Sequence, residues 1–238
     1  MKLRIKFAKF GAMRFIGHLD VMRYFQKAIR RAGIDIAYSG GFSPHQIMSF
    51  AAPLGVGLTS NGEYMDIEVV SAASSEDIKN SLNKAMVPGI EIVSVTKLSD
   101  NAMNAMASVT AAEYTVRFRE GYEPSFDWAH LIDAFYEQPS ILVNKKTKKS
   151  EVEMDIKPAI YSLKAVVDRN GTAVIRMLVD ASSSGNIKPG LVIEAFMKEH
   201  GETLSQFALE ITREDTFTNT GTAEMPVFIP LDAVGDQF

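Results

Sequence analysis

The sequence predicts an α+β protein with antiparallel sheets, and three observations predict it. Apolar residues recur at every second position in several short runs, other stretches carry them at helical spacing, and glycine, proline and serine punctuate the gaps. In the first half these runs follow the order β-α-β-β-α-β, and the second half repeats that order with an insertion. The expected architecture is therefore tandem ferredoxin-like (β-α-β-β-α-β) domains. The expected division is residues 1–107, an N-terminal domain with a basic helix and a Gly-Pro loop, and residues 108–238, a C-terminal domain with an insertion and a C-terminal tail. A chain of 238 residues with 46% hydrophobic content can bury two such cores.

Residues 2–10 alternate at first, with Leu3, Ile5 and Phe7 on one side and Lys2, Arg4 and Lys6 on the other, the mark of a half-buried strand. Met22, Phe25, Ile29 and Ala32 then repeat at helical spacing over residues 18–32, while Arg23, Lys27, Arg30 and Arg31 share another side. Asp20 falls in the first turn, where the helix dipole favours it, and Gly33 is the stop signal. Residues 34–38 read as a second strand, followed by a long loop to Gly62. Residues 63–70 resume alternation, with Met65, Ile67 and Val69 inward and Asp66 and Glu68 outward. Ser74-Ser75-Glu76-Asp77 opens a helix that Pro88-Gly89 ends, and residues 90–98 form a strand. Residues 100–110 read as a linker or connecting helix.

In the second half the expected order is strand 113–119, helix 126–137, strands 141–145 and 151–156, strand 172–179, helix 189–200 and strand 207–213. Residues 159–167 fit either strand or helix. Residues 216–238, with Pro226 and Pro230, read as a loosely packed tail.

The chain contains no cysteine, which excludes disulfides, thiolate nucleophiles, cysteine-held zinc and cysteine-held iron–sulfur clusters. No window reaches the ~18 apolar residues of a membrane span, and MKLRIKFAKF lacks the apolar block of a signal peptide, so a cytoplasmic protein with no membrane partner is expected. The net charge of −4 is unevenly spread. Residues 1–60 hold nine Lys and Arg against Asp20 and Asp35, a balance of +7, which leaves −11 for the rest. Such a basic patch suits a phosphate-bearing partner.

Two surfaces compete for that partner. The Lys2, Arg4 and Lys6 strand face either meets single-stranded RNA or is neutralised across the sheet by Asp66 and Glu68. On the helix, Arg23, Lys27, Arg30 and Arg31, led by Arg14, are the expected nucleic-acid contacts, and they address phosphate without reading bases. His18, Asp20 and His45 are the catalytic candidates. Two histidines and a carboxylate can also ligate a metal, but no tight motif is present, and neither metal nor cofactor is assigned. Gly40, Gly41, Phe42, Ser43 and Pro44 form a loop whose glycines allow close approach of an anion, and they are the expected pocket beside His18 and His45. The loop carries no Walker or dinucleotide fingerprint. Residues 144–149, NKKTKK, read as a lysine-rich hairpin tip.

The stretch KFAKFGAMRFIGHLDVMRYFQKAIRRAGIDIAYSGGFSPHQIMSFAAPLGVGLTSNGEYMDIEV resembles the radical-SAM-linked protein family of unknown function, whose members are fused to radical SAM enzymes or stand beside them. The resemblance rests on His18-Leu19-Asp20, the basic run to Gly33, the Gly41-Phe42-Ser43-Pro44-His45 loop and the Pro-Leu-Gly run before Glu63, with Gln46 standing where the family has a second proline. It implies a radical SAM protein as partner, with any iron–sulfur cluster on that partner. The doubled architecture is also similar, at fold level, to CRISPR repeat-processing ribonucleases. The expected function is an accessory RNA-binding module, with tRNA or rRNA as its RNA. The alternatives are a ribonuclease or small-molecule enzyme using His18 and His45, or a protein-docking scaffold.

Overall fold

The computed structural model describes residues 1–146 and 151–238, with five α-helices and mostly antiparallel strands among them. The chain divides into two compact units. The first comprises residues 1–110 together with 213–238, and the second comprises residues 111–212.

Unit 1 opens with β1 (Lys2–Lys9), followed by α1 (His18–Arg31), β2 (Met48–Phe50), β3 (Thr59–Glu68), α2 (Ser75–Ala85), β4 (Ile90–Lys97) and the short α3 (Ala105–Ser108). Its sheet runs β4-β1-β3, and the β1 pairings on both sides are antiparallel, with Ile5 opposite Met65 and Val95. β2 pairs with the Met65–Ile67 end of β3, and Ile36 bridges Val69. The apolar rows of β1 and β3 meet Val21, Phe25 and Ile29 of α1 and Ile78 and Leu82 of α2 in one core. Ser74 caps α2 as expected, its side chain accepting from Asp77 N at 3.1 Å.

Unit 2 contains β5 (Ala111–Phe118), α4 (Trp128–Glu137), β6 (Leu142–Lys146), β7 (Glu151–Asp155), β8 (Ile160–Val167), β9 (Ala173–Asp180) and α5 (Pro189–Glu199). β5 pairs with β9 and β9 with β8, all antiparallel, over a core that includes Ile132, Phe135, Ile193 and Phe196 of the helices. The residues left open between strand and helix are thus β8, a member of the main sheet. The pair expected as strands of the repeat, β6 and β7, instead forms a separate two-stranded sheet and is the insertion.

The unit boundary falls within β10 (Leu209–Asn219), which β11 (Phe228–Pro230) pairs antiparallel. The expectation that residues 216–238 form a loose tail on the second domain is corrected here. They belong to unit 1, where Leu231 is fully buried, Asp236 bridges Lys97, and Phe238 exchanges hydrogen bonds with Ser75. Gly62 explains how closely β10 approaches β3: a Cβ there would lie 2.8 Å from the Asp215 Cα.

Candidate functional site

The outward face of β1 carries the cations that the alternation predicted, and two of the three, Arg4 and Lys6, are neutralised. Arg4 is completely buried. It donates to both carboxylate oxygens of Asp66 at 2.8 and 3.0 Å, and to the carbonyls of Leu231 and Met103. Lys6 Nζ contacts Asp215 at 2.6 Å, and the Tyr64 hydroxyl lies 2.6 Å from Asp215 and 3.0 Å from Asp232, which also accepts from Ser94. Burial, reinforced by those two carboxylates, pushes the Tyr64 hydroxyl far above its ordinary value, so it stays protonated. The cross-sheet pairing reading of this face therefore holds for Arg4 through Asp66, and the C-terminal segment supplies the remaining acids. Lys2 instead donates to the Asp100 carbonyl. It lines a cavity of about 280 Å³ with Asp66 and Glu68, whose charges suit no anion.

The helix cations have a different setting. α1 is amphipathic because its buried residues recur at Val21, Phe25, Ala28 and Ile29, which leaves Arg23, Lys27 and Arg30 on the exposed side. Arg23 contacts Asp20 at 3.4 Å, with both side chains about two-thirds exposed, and a pair that open contributes little. Lys27 makes no ion pair among the described residues. Arg30 donates to the Gln26 carbonyl, and Arg31 donates to the Ala85 carbonyl while lying 5.8 Å over the Tyr24 ring. Arg31 and Lys84, each in the last turn of its helix, share an open groove of about 350 Å³ with Ser81. Arg14 stands apart from this face. It lies on the 3₁₀ turn Gly11–Phe15 before α1, with its guanidinium stacked 4.8 Å over the Phe15 ring.

The structure does not gather His18, Asp20 and His45 into one site. Asp20 is exposed beside Arg23, and His18 sits edge-on to Phe50 at 5.3 Å. His45 shares a 2.9 Å hydrogen bond between its Nδ1 and Ser39 Oγ, which closes the loop on itself. No cluster of three metal-ligating side chains occurs among the described residues. Gly40, Gly41, Phe42, Ser43 and Pro44 are all exposed, with Phe42 wholly so, and they form a projecting tip where a pocket was expected. The lysine-rich hairpin lies outside the described residues from position 147 to 150, and the side chains of Lys145 and Lys146 are likewise undescribed. His130 pairs with Asp127, which holds its imidazole above the ordinary value, and His200 stacks on Phe126 at 4.5 Å.

Beneath His18 a cavity is lined by Lys9 and Glu63, neither of them among the expected site residues. Lys9 continues the inward row Leu3, Ile5, Phe7, and Glu63 begins the inward row of β3, so alternation alone places both on the core face. Lys9 is only 2% exposed, and its Nζ reaches the Ile16 carbonyl at 3.3 Å. Glu63 accepts from Arg213 Nη1 at 3.0 and 3.2 Å, and that same nitrogen reaches the Ala52 carbonyl. Burial pulls the Lys9 amine below the ordinary lysine value, partly opposed by the Glu63 charge.

No helix among the described residues is long and apolar enough to cross a membrane. No curated protein matches the chain. Among solved structures, a chain of a Cbf5-Nop10-Gar1 complex is similar at 10% identity and a TM-score of 0.49. The match covers 90% of this chain and 48% of that one, so this chain spans about half its length. Residues 2–189 match the family model described as "Uncharacterized protein conserved in bacteria (DUF2344)", and the chain belongs to that family.

Proposed function

We propose that this chain is a non-catalytic accessory module, built from two ferredoxin-like units, that binds RNA and acts with a separate radical SAM enzyme. The observation that carries the RNA reading is the contrast between two sets of cations. Arg4 and Lys6 on the sheet are paired with carboxylates, whereas Lys27, Arg30 and Arg31 on α1 are exposed and meet no carboxylate at contact distance among the described residues. Exposed, uncompensated guanidinium and ammonium groups along one helix suit a phosphate backbone, and they position it without reading sequence. A tRNA or rRNA fits that chemistry. The absence of cysteine assigns any iron–sulfur cluster to the partner.

The test is binding of the full chain to a small-RNA pool at two salt concentrations. Three phosphate contacts to single strands predict a fall in affinity of about 20-fold between ~50 and ~200 mM salt. The Arg30→Glu/Arg31→Glu variant is expected to lose binding while keeping its circular dichroism spectrum. Equal binding by that variant, or no binding at low salt, would sink the reading.

The loop tip supports a second reading, docking of the protein partner. Phe42 is wholly exposed on a turn braced by the Ser39–His45 hydrogen bond, and a lone projecting aromatic is a common anchor at protein interfaces. Phe42→Ala is expected to abolish capture of the radical SAM partner and to leave RNA affinity unchanged. Undiminished capture counts against docking through this tip.

A further inference from the structure

The geometry points to the cavity beneath His18 as a seat for one terminal oxygen of an anionic group, a phosphoryl or a carboxylate, held by Lys9 and His18. Lys9 is the key observation. Its ammonium carries three N–H donors, it is 2% exposed, and its hydrogen bond is the 3.3 Å contact with the Ile16 carbonyl. The nearby carboxylate, Glu63, is bonded through both oxygens to Arg213, and Lys9 makes no ion pair among the described residues. An ammonium enclosed in this way is costly unless an anion or hydrogen-bond acceptors meet it. Departures of this kind from the ordinary rules of burial concentrate at functional sites.

The cavity fixes the size of what enters. It holds about 20 Å³ and is lined by Lys9, His18 and Glu63 together with Phe7, Phe50 and Leu54. That volume accepts a single atom the size of a water oxygen, so only the tip of a ligand is seated and its body lies outside. His18 is the first residue of the 14-residue α1, whose dipole also favours negative charge, and its imidazole makes no hydrogen bond among the described residues. Phe15, Leu19 and Val56 are each about three-fifths exposed, on the 3₁₀ turn before α1, the first turn of α1 and the loop that runs from Leu54 towards β3. The Gly57 N–H donates to the Arg14 carbonyl and ties that loop to the 3₁₀ turn, so the segments carrying these side chains are joined to one another and run close in sequence to His18 and Leu54 of the lining, and apolar side chains there suit the uncharged body of a ligand. The Glu63 charge does not close the site to anions, because Arg213 compensates it at contact distance.

The seat is independent of the exposed α1 face. The test uses the full chain with ¹³C-labelled lysine, titrated separately with inorganic phosphate and with acetate while the Lys9 Cε resonance is followed. A saturable shift at millimolar anion is expected, with the Lys9 titration midpoint moving back up toward the ordinary lysine value. Saturation by phosphate alone identifies a phosphoryl ligand, and saturation by acetate alone identifies a carboxylate. Lys9→Met is expected to weaken binding at least tenfold, and its thermal melt reports whether it is folded. If the Lys9 resonance of the wild-type chain fails to respond to either anion, water alone fills the cavity and the proposal is overturned. Equal phosphate affinity in a folded Lys9→Met variant overturns it as well.

Discussion

Removing the Asp66 carboxylate would strand the Arg4 guanidinium in a site from which water is excluded. Asp66→Ala is therefore expected to cost about 3–5 kcal/mol, read from urea or guanidinium unfolding, because an uncompensated buried charge remains. The double change Arg4→Met/Asp66→Leu should recover much of that loss. Recovery will be incomplete, since the Leu231 and Met103 carbonyls lose their donor and Ala105 N loses the carboxylate it bonds at 2.6 Å. Lys9 gives the opposite sign. Its folded-state value lies below the unfolded 10.5, so between the two the unfolded chain binds the extra proton and stability rises with pH. Lys9→Met should accordingly melt higher than wild type at neutral pH, with the gap narrowing as pH climbs toward 10.5. A gap that widens with pH would show that Lys9 stabilises the fold as a cation.

The C-terminal segment from β11 to Phe238 works as a strap over the outward face of the sheet. Leu231→Ala is expected to cost about 2–5 kcal/mol, as for a fully buried leucine, and a chain ending at Asn219 should lose more because Asp232 departs with the segment. Differential scanning calorimetry of both variants would check the order. Little of this strap was legible in the sequence. Its prolines and short polar runs carry no periodicity, and the contacts that hold it join positions as far apart as 227 residues. β1, α1, α2 and β4 were legible because each buries one side of a regular element, so period 2 or 3.6 survives in the residue order. Residues 159–167 were ambiguous for the opposite reason: within them IYSLKAVV, residues 160–167, mixes burial on both sides, and pairing with β9 decided the outcome. Of the candidate site, the exposed basic face of α1 was readable from spacing. The projecting Phe42 loop was misjudged as a pocket because loop shape depends on bonds such as Ser39–His45 that no pattern encodes. Lys9 and Glu63 stand on the inward rows, where alternation places a residue whatever its charge.

At the scale of the molecule, unit 1 is discontinuous in sequence, since residues 111–212 intervene between its two parts. A fragment of residues 1–110 should fail to reach a cooperative native state, judged by far-ultraviolet circular dichroism and a thermal transition. It lacks Leu231, Arg213 and the carboxylates of Asp215 and Asp232 that answer Glu63, Lys6 and Tyr64. Supplying residues 213–238 through a flexible linker after residue 110 should restore the transition. A ribosome makes the halves of this unit at different times. At ~5–20 residues per second, the residues after position 110 take about 6–26 s to be made, and until then Lys6 lacks Asp215 and Arg4 lacks the Leu231 carbonyl. A nascent chain that stops short of β10 thus keeps its first unit unfinished, with Lys6 and Tyr64 still lacking the Asp215 carboxylate that a longer chain brings to both.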